Sequence, residues 1–244
     1  VGGIAFVVIR NATHMDPTCY DGKRNGDEVG IDCGGACTFY CKDELQEPKV
    51  RWTRFFEVAP GLVHMVSYIE HSYPTAASKS APYTFYLYDE KNNLITARNG
   101  TTYIGPMGRS AIVETLVQTG NGVPAVPRFE FSGTIPWEKV SPVFSQAVIK
   151  TDRTLLEAFN NGNTMGTRLT ATLENQSRIT FEDIDVVAIL YNKDNNAIAV
   201  SKSILASLKA QETVTVYFTW PTRLDEETAR IEVIPRINPF TAKQ

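Results

Sequence analysis

Leu87-Tyr88-Asp89-Glu90-Lys91-Asn92-Asn93-Leu94-Ile95 returns as Leu190-Tyr191-Asn192-Lys193-Asp194-Asn195-Asn196-Ala197-Ile198, at a constant offset of 103 residues and without a gap. Leu, Tyr, both Asn and Ile are identical. Each copy is an apolar strand end, a polar turn and an apolar return, the pattern of a β-hairpin. A polar segment follows each copy, and then a long alternating strand: Ala111–Val117 in one case and Thr213–Thr219 in the other. An offset near 100 residues is the length of one immunoglobulin-like sandwich, so the spacing predicts two copies of such a unit.

Outward from these segments the chain reads as strands separated by turns. The first series is Val50–Val58, Leu62–Glu70, Tyr83–Tyr88, Leu94–Ala97, Thr102–Ile104, Ser110–Gln118 and Arg128–Phe131. The second is Phe144–Lys150, Arg168–Glu174, Asp183–Tyr191, Ala197–Ser201, Thr213–Trp220 and Ala229–Ile234. His71 to Pro82 reads as loop, and only Asp152–Phe159 and Asp225–Thr228 have a helical texture. The expected fold class is therefore all-β: a disulfide-bonded loop module and linker at 11–49, followed by two tandem immunoglobulin-like β-sandwiches at 50–133 and 134–244. Alternation turns Phe85 and Leu87 inward, with Ile112 or Val113, Ile189 or Leu190, and Val214 or Val216.

The chain has 244 residues, too many for one ordinary sandwich and suited to two domains with an extension. Its 43% hydrophobic and 21% charged residues exclude extended disorder and a membrane bundle. With a formal charge of −3 and scattered Lys and Arg, there is no electrostatic reason to expect nucleic acid as a partner.

All four cysteines, Cys19, Cys33, Cys37 and Cys41, lie between positions 19 and 41. They either hold a metal or staple a segment too small to make its own core. Zinc hooks need paired C-x₂₋₄-C spacing, and here Cys33/Cys37 and Cys37/Cys41 share one residue, with only His14 nearby. Two disulfides, and with them an oxidising compartment, are the preferred reading. Of the three possible pairings, Cys19–Cys33 with Cys37–Cys41 is expected, because the first closes the acidic loop at its two ends and the second staples the next turn. Residues 1–10 read as the end of a membrane anchor or assembly segment: Val1–Ile9 is apolar, too short to cross a bilayer by itself, and is followed by Arg10. A first β-strand is the alternative.

The run Cys19-x-Asp21-Gly22-x-x-Asn25-Gly26-x-Glu28-x-Gly30-x-Asp32-Cys33-Gly34-Gly35-x-Cys37 resembles a short cysteine motif of bacterial secreted and surface proteins. That motif often stands between a membrane anchor and β-rich extracellular domains. Val186-Ala-Ile-Leu-Tyr-Asn192 through Phe218-Thr-Trp220 resembles, separately, the FxLYD-type immunoglobulin-like domains of bacterial envelope proteins. Together the resemblances imply a membrane-anchored, extracytoplasmic surface protein.

Chemistry-bearing residues are sparse. Asp21, Asn25, Asp27, Glu28 and Asp32 offer five oxygen donors around Gly26, which makes the loop a candidate calcium site. It departs from the EF-hand pattern at Lys23 and lacks flanking helices; a solvated loop closed by disulfides is the plainer reading. There is no Gly-x-Ser-x-Gly, and His64 (expected exposed on its strand) and His71 (expected in a loop) are poorly spaced for a metal hook, so no catalytic residue is expected. Asn11, Asn99 and Asn175 begin N-glycosylation sequons. Tyr86 and Tyr88 face away from the core-facing side of their strand, where tyrosines suit protein contacts. The expected function is a non-enzymatic envelope protein presenting its tandem domains to other envelope or surface proteins, possible partners including a second copy of itself, with membrane contact through the amino-terminal segment. A filament or lattice subunit and a calcium-dependent adhesive stalk are the alternatives.

Overall fold

The computed structural model describes residues 18–162 and 164–243, so the anchor expected at residues 1–10 and the Asn11 sequon lie outside the described residues. The first body contains β1 (Lys49–Ala59), β2 (Leu62–His71), β3 (Ala76–Tyr88), β4 (Leu94–Ile104), β5 (Gly108–Gln118), β6 (Val126–Phe131) and the short β7 (Glu138–Lys139). After a single 3-10 turn at Pro142–Phe144 come β8 (Ile149–Asn161), β9 (Thr164–Asn175), β10 (Phe181–Tyr191), β11 (Ala197–Leu208), β12 (Thr213–Trp220) and β13 (Arg230–Arg236). Among the described residues, no helix is long and apolar enough to cross a membrane.

The two bodies have one topology. The first pairs β1-β2-β5 in one sheet and β4-β3-β6 in the other; the second pairs β8-β9-β12 and β11-β10-β13. All pairings are antiparallel. The matched segments are equivalent hairpins, β3–β4 and β10–β11. In the first turn the Asp89 carboxylate accepts from the amides of Lys91 and Asn93; in the second the Asn192 side-chain oxygen accepts from those of Asp194 and Asn196. Asn92 and Asn195 hold the positive-φ corner at 61° and 59°, a conformation asparagine tolerates well. That requirement explains why asparagine recurs at positions 92 and 195.

Each body has its own core. Met65, Ile69, Phe85, Leu87 and Ile112 fill the first; Leu169, Leu173, Phe181, Leu190 and Phe218 fill the second. A third core lies between the bodies, where Trp52, Phe56, Val66, Tyr68, Ala111 and Val113 of β1-β2-β5 meet Val187, Ile189, Tyr191, Ala197, Val200 and Ile234 of β11-β10-β13. The molecule is thus a stack of four sheets. Its two middle sheets are apolar on both faces, so Met65–Ile69 and Val186–Tyr191 are buried without a break.

Several local expectations are corrected. Asp152–Phe159 is not helical but lies within β8, paired with β9 from Ile149 to Asn161; burying Leu156 against the second core outweighs a helical propensity that is weak per residue. Asp225 and Glu226 form a bend, and Glu227 and Thr228 are irregular. Phe144–Lys150 is divided between the 3-10 turn and the start of β8. Strand β3 begins at Ala76, inside the segment read as loop, because Ala76 and Ala77 pair with Lys139 and Glu138. Ile135 and Trp137, which the sequence grouped with the second series, pack on the first body beside Ala76 and Ile104.

Candidate functional site

The cysteine module uses the pairing Cys19–Cys37 with Cys33–Cys41, not the one expected from loop closure. The reason is Asp32. Its carboxylate accepts from the amides of Asp21 and Gly22 at 3.0 to 3.2 Å, closing the acidic loop without a covalent bond. The disulfides instead interlock the loop with the following turn. Gly35, at φ 53°, meets the Asp27 carbonyl so closely that a Cβ would lie 1.5 Å from its oxygen. Gly30 and Gly34 are likewise held by close neighbours, Cys33 Sγ and Val29 Cβ, whereas Gly22 has open space and is favoured by its φ of 70°. The module is seated on the first body: Tyr40 N donates to Trp137 O, Lys139 N donates to Thr38 O, and Tyr40 Oη lies 3.0 Å from Thr75 Oγ1.

The acidic side chains serve their own backbone. Asp21 Oδ1 accepts from Lys23 N and Oδ2 from Asn25 Nδ2; the Asn25 contact is the chief cause holding the Asp21 carboxyl below its ordinary range. Glu28 Oε2 accepts from Asn25 N, while Oε1 lies 3.4 Å from Cys37 Sγ. Asp27 is exposed and borders the same depression as Asn25 and Glu28. Among the described residues, one group of His, Cys, Asp and Glu donors stands close enough to share an ion, namely Cys19, Glu28 and Cys37, and both sulfurs are consumed by the disulfide.

His71 and His64 also work structurally. His71 is not in a loop: it ends β2, 4% exposed, with its ring stacked on Trp137 at 4.6 Å and Nε2 donating to Ala76 O at 3.1 Å. Burial pushes its pKa down. It borders a cavity of about 100 Å³ at the junction of the bodies, with Arg109 and Arg236 among its lining residues. His64, half-buried rather than exposed, accepts on Nδ1 from Leu116 N, and burial lowers its pKa too. Leu116 has φ 54° beside a bulge in the β2–β5 ladder, so the imidazole satisfies an amide that the ladder leaves out. Of the sequons, Asn99 is exposed on β4, whereas Asn175 is fully buried and donates from Nδ2 to the carbonyls of Ile179, Leu208 and Lys209. Asn175 is a structural residue.

The outer face of β4-β3-β6 carries Tyr86 and Tyr88, both half-buried, as alternation requires once Phe85 and Leu87 point inward. The two rings stand 6.2 Å apart, Tyr86 Oη donates to Glu130 at 2.9 Å, and Arg128 lies over Tyr88 at 5.0 Å. Leu94 and Val126 border this face and are 54% and 41% exposed. At the 103-residue offset, Thr84, Tyr86 and Tyr88 correspond to Val187, Ile189 and Tyr191, the β10 residues buried against the first body. The supporting contacts recur. Arg230 lies over Tyr191 at 3.6 Å and donates to Asn195, as Arg128 does over Tyr88 and to Asn92. The sequence singled out Tyr86 and Tyr88; it did not reveal that their counterparts line an interface.

Arg236 escaped the sequence reading altogether. Its buried guanidinium donates to Ser110 Oγ, Asp185 Oδ2, Thr102 Oγ1 and Tyr103 O, tying β13 to β4 and β5 of the first body. Only its place next to a proline near the end of a strand marked it, and that is no signal.

No family profile and no curated protein matches the chain. Among solved structures, a GH2 β-galacturonidase from Eisenbergiella tayi aligns over 80% of this chain at 10% identity with a TM-score of 0.23. The chain spans 42% of that enzyme's length. The tandem CBM22-1–CBM22-2 domains of Paenibacillus barcinonensis Xyn10C align over 79% of this chain and 85% of their own, at 8% identity and a TM-score of 0.17. Scores this low add nothing to what the chain itself shows.

Proposed function

We propose that the chain is a non-enzymatic, extracytoplasmic envelope module that binds protein through the outer face of β4-β3-β6. The observation that carries this reading is the correspondence of Thr84, Tyr86 and Tyr88 with Val187, Ile189 and Tyr191. The first body carries half-buried Tyr86 and Tyr88 on its outer face at positions the second body uses against a neighbouring sheet, with Thr84 buried beside Ser132. The two interlocked disulfides favour an oxidising compartment, and the seated cysteine module with the third core makes a stiff support for that face. Membrane attachment through residues 1–10 completes the proposal.

Two measurements test it. Trapping thiols in intact cells before fractionation should find the chain in the envelope fraction with no alkylated cysteine; a cytosolic, fully alkylated chain would refute the location. A photo-crosslinking residue at position 88 should form protein adducts in the native envelope, while one at position 172 should not. Equal labelling from both positions would refute the assigned face.

A further inference from the structure

The two ends of the four-sheet stack are chemically different. At one end, the outer face of β8-β9-β12 carries Arg153, Leu155, Glu157, Arg168, Thr170, Thr172, Thr213, Thr215 and Tyr217 across its three strands. The corresponding face of the first body carries Trp52, Phe56, Val66, Tyr68, Ala111 and Val113, and it is buried in the third core. Threonine and charge replace most of the aromatic and branched apolar residues there, with Leu155 and Tyr217 left 54% and 59% exposed among them; a more polar face ends a stack, as the terminal units of repeat proteins do. The other end has no such cap. There Tyr86, Tyr88, Leu94 and Val126 remain on a face whose counterpart in the second body is covered by a sheet.

We propose that the outer face of β4-β3-β6 is the contact surface of a two-fold dimer, its occupant being the same face of a second copy of this chain. This rests on the reading that the face binds protein and specifies the partner. The two sheet faces of a copy that are richest in aromatic and branched apolar residues are already used in its third core, and this face is the counterpart of one of them. The face is also self-complementary in charge: exposed Arg128 and Glu130 sit two residues apart on one side of β6. A two-fold axis can therefore set each against its opposite on the other copy, as an isologous contact requires. Three strands about six residues long measure roughly 14 by 20 Å, about 280 Å² per copy, so the contact totals on the order of 600 Å², below the size of a standard specific interface. Association is accordingly weak and concentration-dependent, and an isologous contact closes at two copies.

Sedimentation equilibrium of the full chain, from micromolar to near-millimolar concentration, is the test. A monomer–dimer equilibrium is expected. Val126→Glu should weaken it about tenfold or more, as a like-charge or unpaired-charge defect at a small interface does. Arg128→Glu and Glu130→Arg should each weaken it, and the double reversal should restore it; that recovery separates pairing across the axis from damage to folding, as does an unchanged circular dichroism spectrum. Thr172→Glu on the opposite face should have no effect. A monomer throughout, a dimer indifferent to Val126→Glu, a double reversal that recovers nothing, or growth beyond dimers that Thr172→Glu arrests would each overturn the inference. A monomer would leave cross-linking from position 88 to other envelope proteins intact, so the two proposals fail separately.

Discussion

Tyr68 of β2 donates to Glu232 Oε1 of β13 at 2.7 Å, across the boundary between the two bodies. Glu232 Oε2 accepts at the same time from Tyr191 at 2.9 Å, so one carboxylate holds a tyrosine from each side. Burial first, and then the bond to Glu232, raises both phenol pKa values, that of Tyr191 to about 12. Both rings therefore stay neutral donors at any physiological pH. Beside this clamp, Arg54 of β1 reaches Ala197 O and Asn196 Oδ1 of the second body.

The clamp predicts coupled unfolding. Hydrogen bonds to a charged group contribute about 1.5–3 kcal/mol each. Glu232→Leu should lower stability by roughly that amount or more, since two buried hydroxyls lose their acceptor. Tyr68→Phe and Tyr191→Phe should each cost less. Urea denaturation followed by tryptophan fluorescence should give one transition for the native chain and a broadened or divided one for Glu232→Leu. A clamp variant as stable as the native chain would show that the third core holds the bodies without it.

Arg236 should be the more costly residue to lose. Its guanidinium is buried and forms an ion pair with Asp185 at 3.0 Å while bonding three groups of the first body. Removing one partner of a buried pair costs about 3–5 kcal/mol, because the other charge is stranded. Arg236→Met should fall in that range by urea denaturation, and adding Asp185→Asn should recover part of the loss. Recovery of none would assign the effect to the Ser110 and Thr102 contacts.

The repeat makes a paired prediction. Leu87 and Leu190 are both fully buried at equivalent positions of central strands. Leu87→Ala and Leu190→Ala should each cost about 2–5 kcal/mol, the range for large-to-small changes in cores. Values under about 0.5 kcal/mol, typical of surface sites, would contradict the shared architecture.

How legible this was depended on which faces are buried. The fold class and the equivalent hairpins could be read from Leu87–Ile95 and Leu190–Ile198, because a polar turn with a positive-φ asparagine leaves a local signature. The third core could not. Ile112 and Val113 were posed as alternatives, as were Ile189 and Leu190, yet all four are buried, since β5 and β10 face a core on each side. Alternation is informative only where one face meets water. The disulfide partners were unreadable for a related reason: Asp32 closes the loop that a cysteine pair was expected to close, and a carboxylate accepting two amides leaves no spacing pattern. Tyr86 and Tyr88 were found because their strand does have a wet face.

The cysteine module should be separable from the sandwiches. Closing a loop of about 15–20 residues contributes roughly 3 kcal/mol by restricting the unfolded chain. Non-reducing peptide mapping should recover Cys19 linked to Cys37 and Cys33 linked to Cys41. Reduction should raise hydrogen exchange across Thr18–Lys42 while amides of β2 and β10 stay protected. Protection lost throughout the chain would mean that the module, through Tyr40 and Trp137, supports the first body as well.

Acid should act through His71. Its folded-state pKa lies below the ordinary value near 6.5, so the unfolded chain takes up a proton where the folded chain resists one. The contribution to stability is therefore intact above about pH 6.5 and is lost progressively as pH falls toward the lowered folded value. The proton would have to enter at Nδ1, because Nε2 already donates to Ala76 O, and it would place a charge beside Trp137 and near the Arg109 and Arg236 side chains of the same cavity. His64 has a pKa shifted the same way and adds to the slope. Urea midpoints measured between neutral pH and about pH 5, above the range in which most carboxylates titrate, should decline for the native chain. They should decline less steeply for His71→Phe, whatever that substitution does to stability at neutral pH. Parallel slopes for the two proteins would show that His71 binds its proton in the folded state as readily as in the unfolded one.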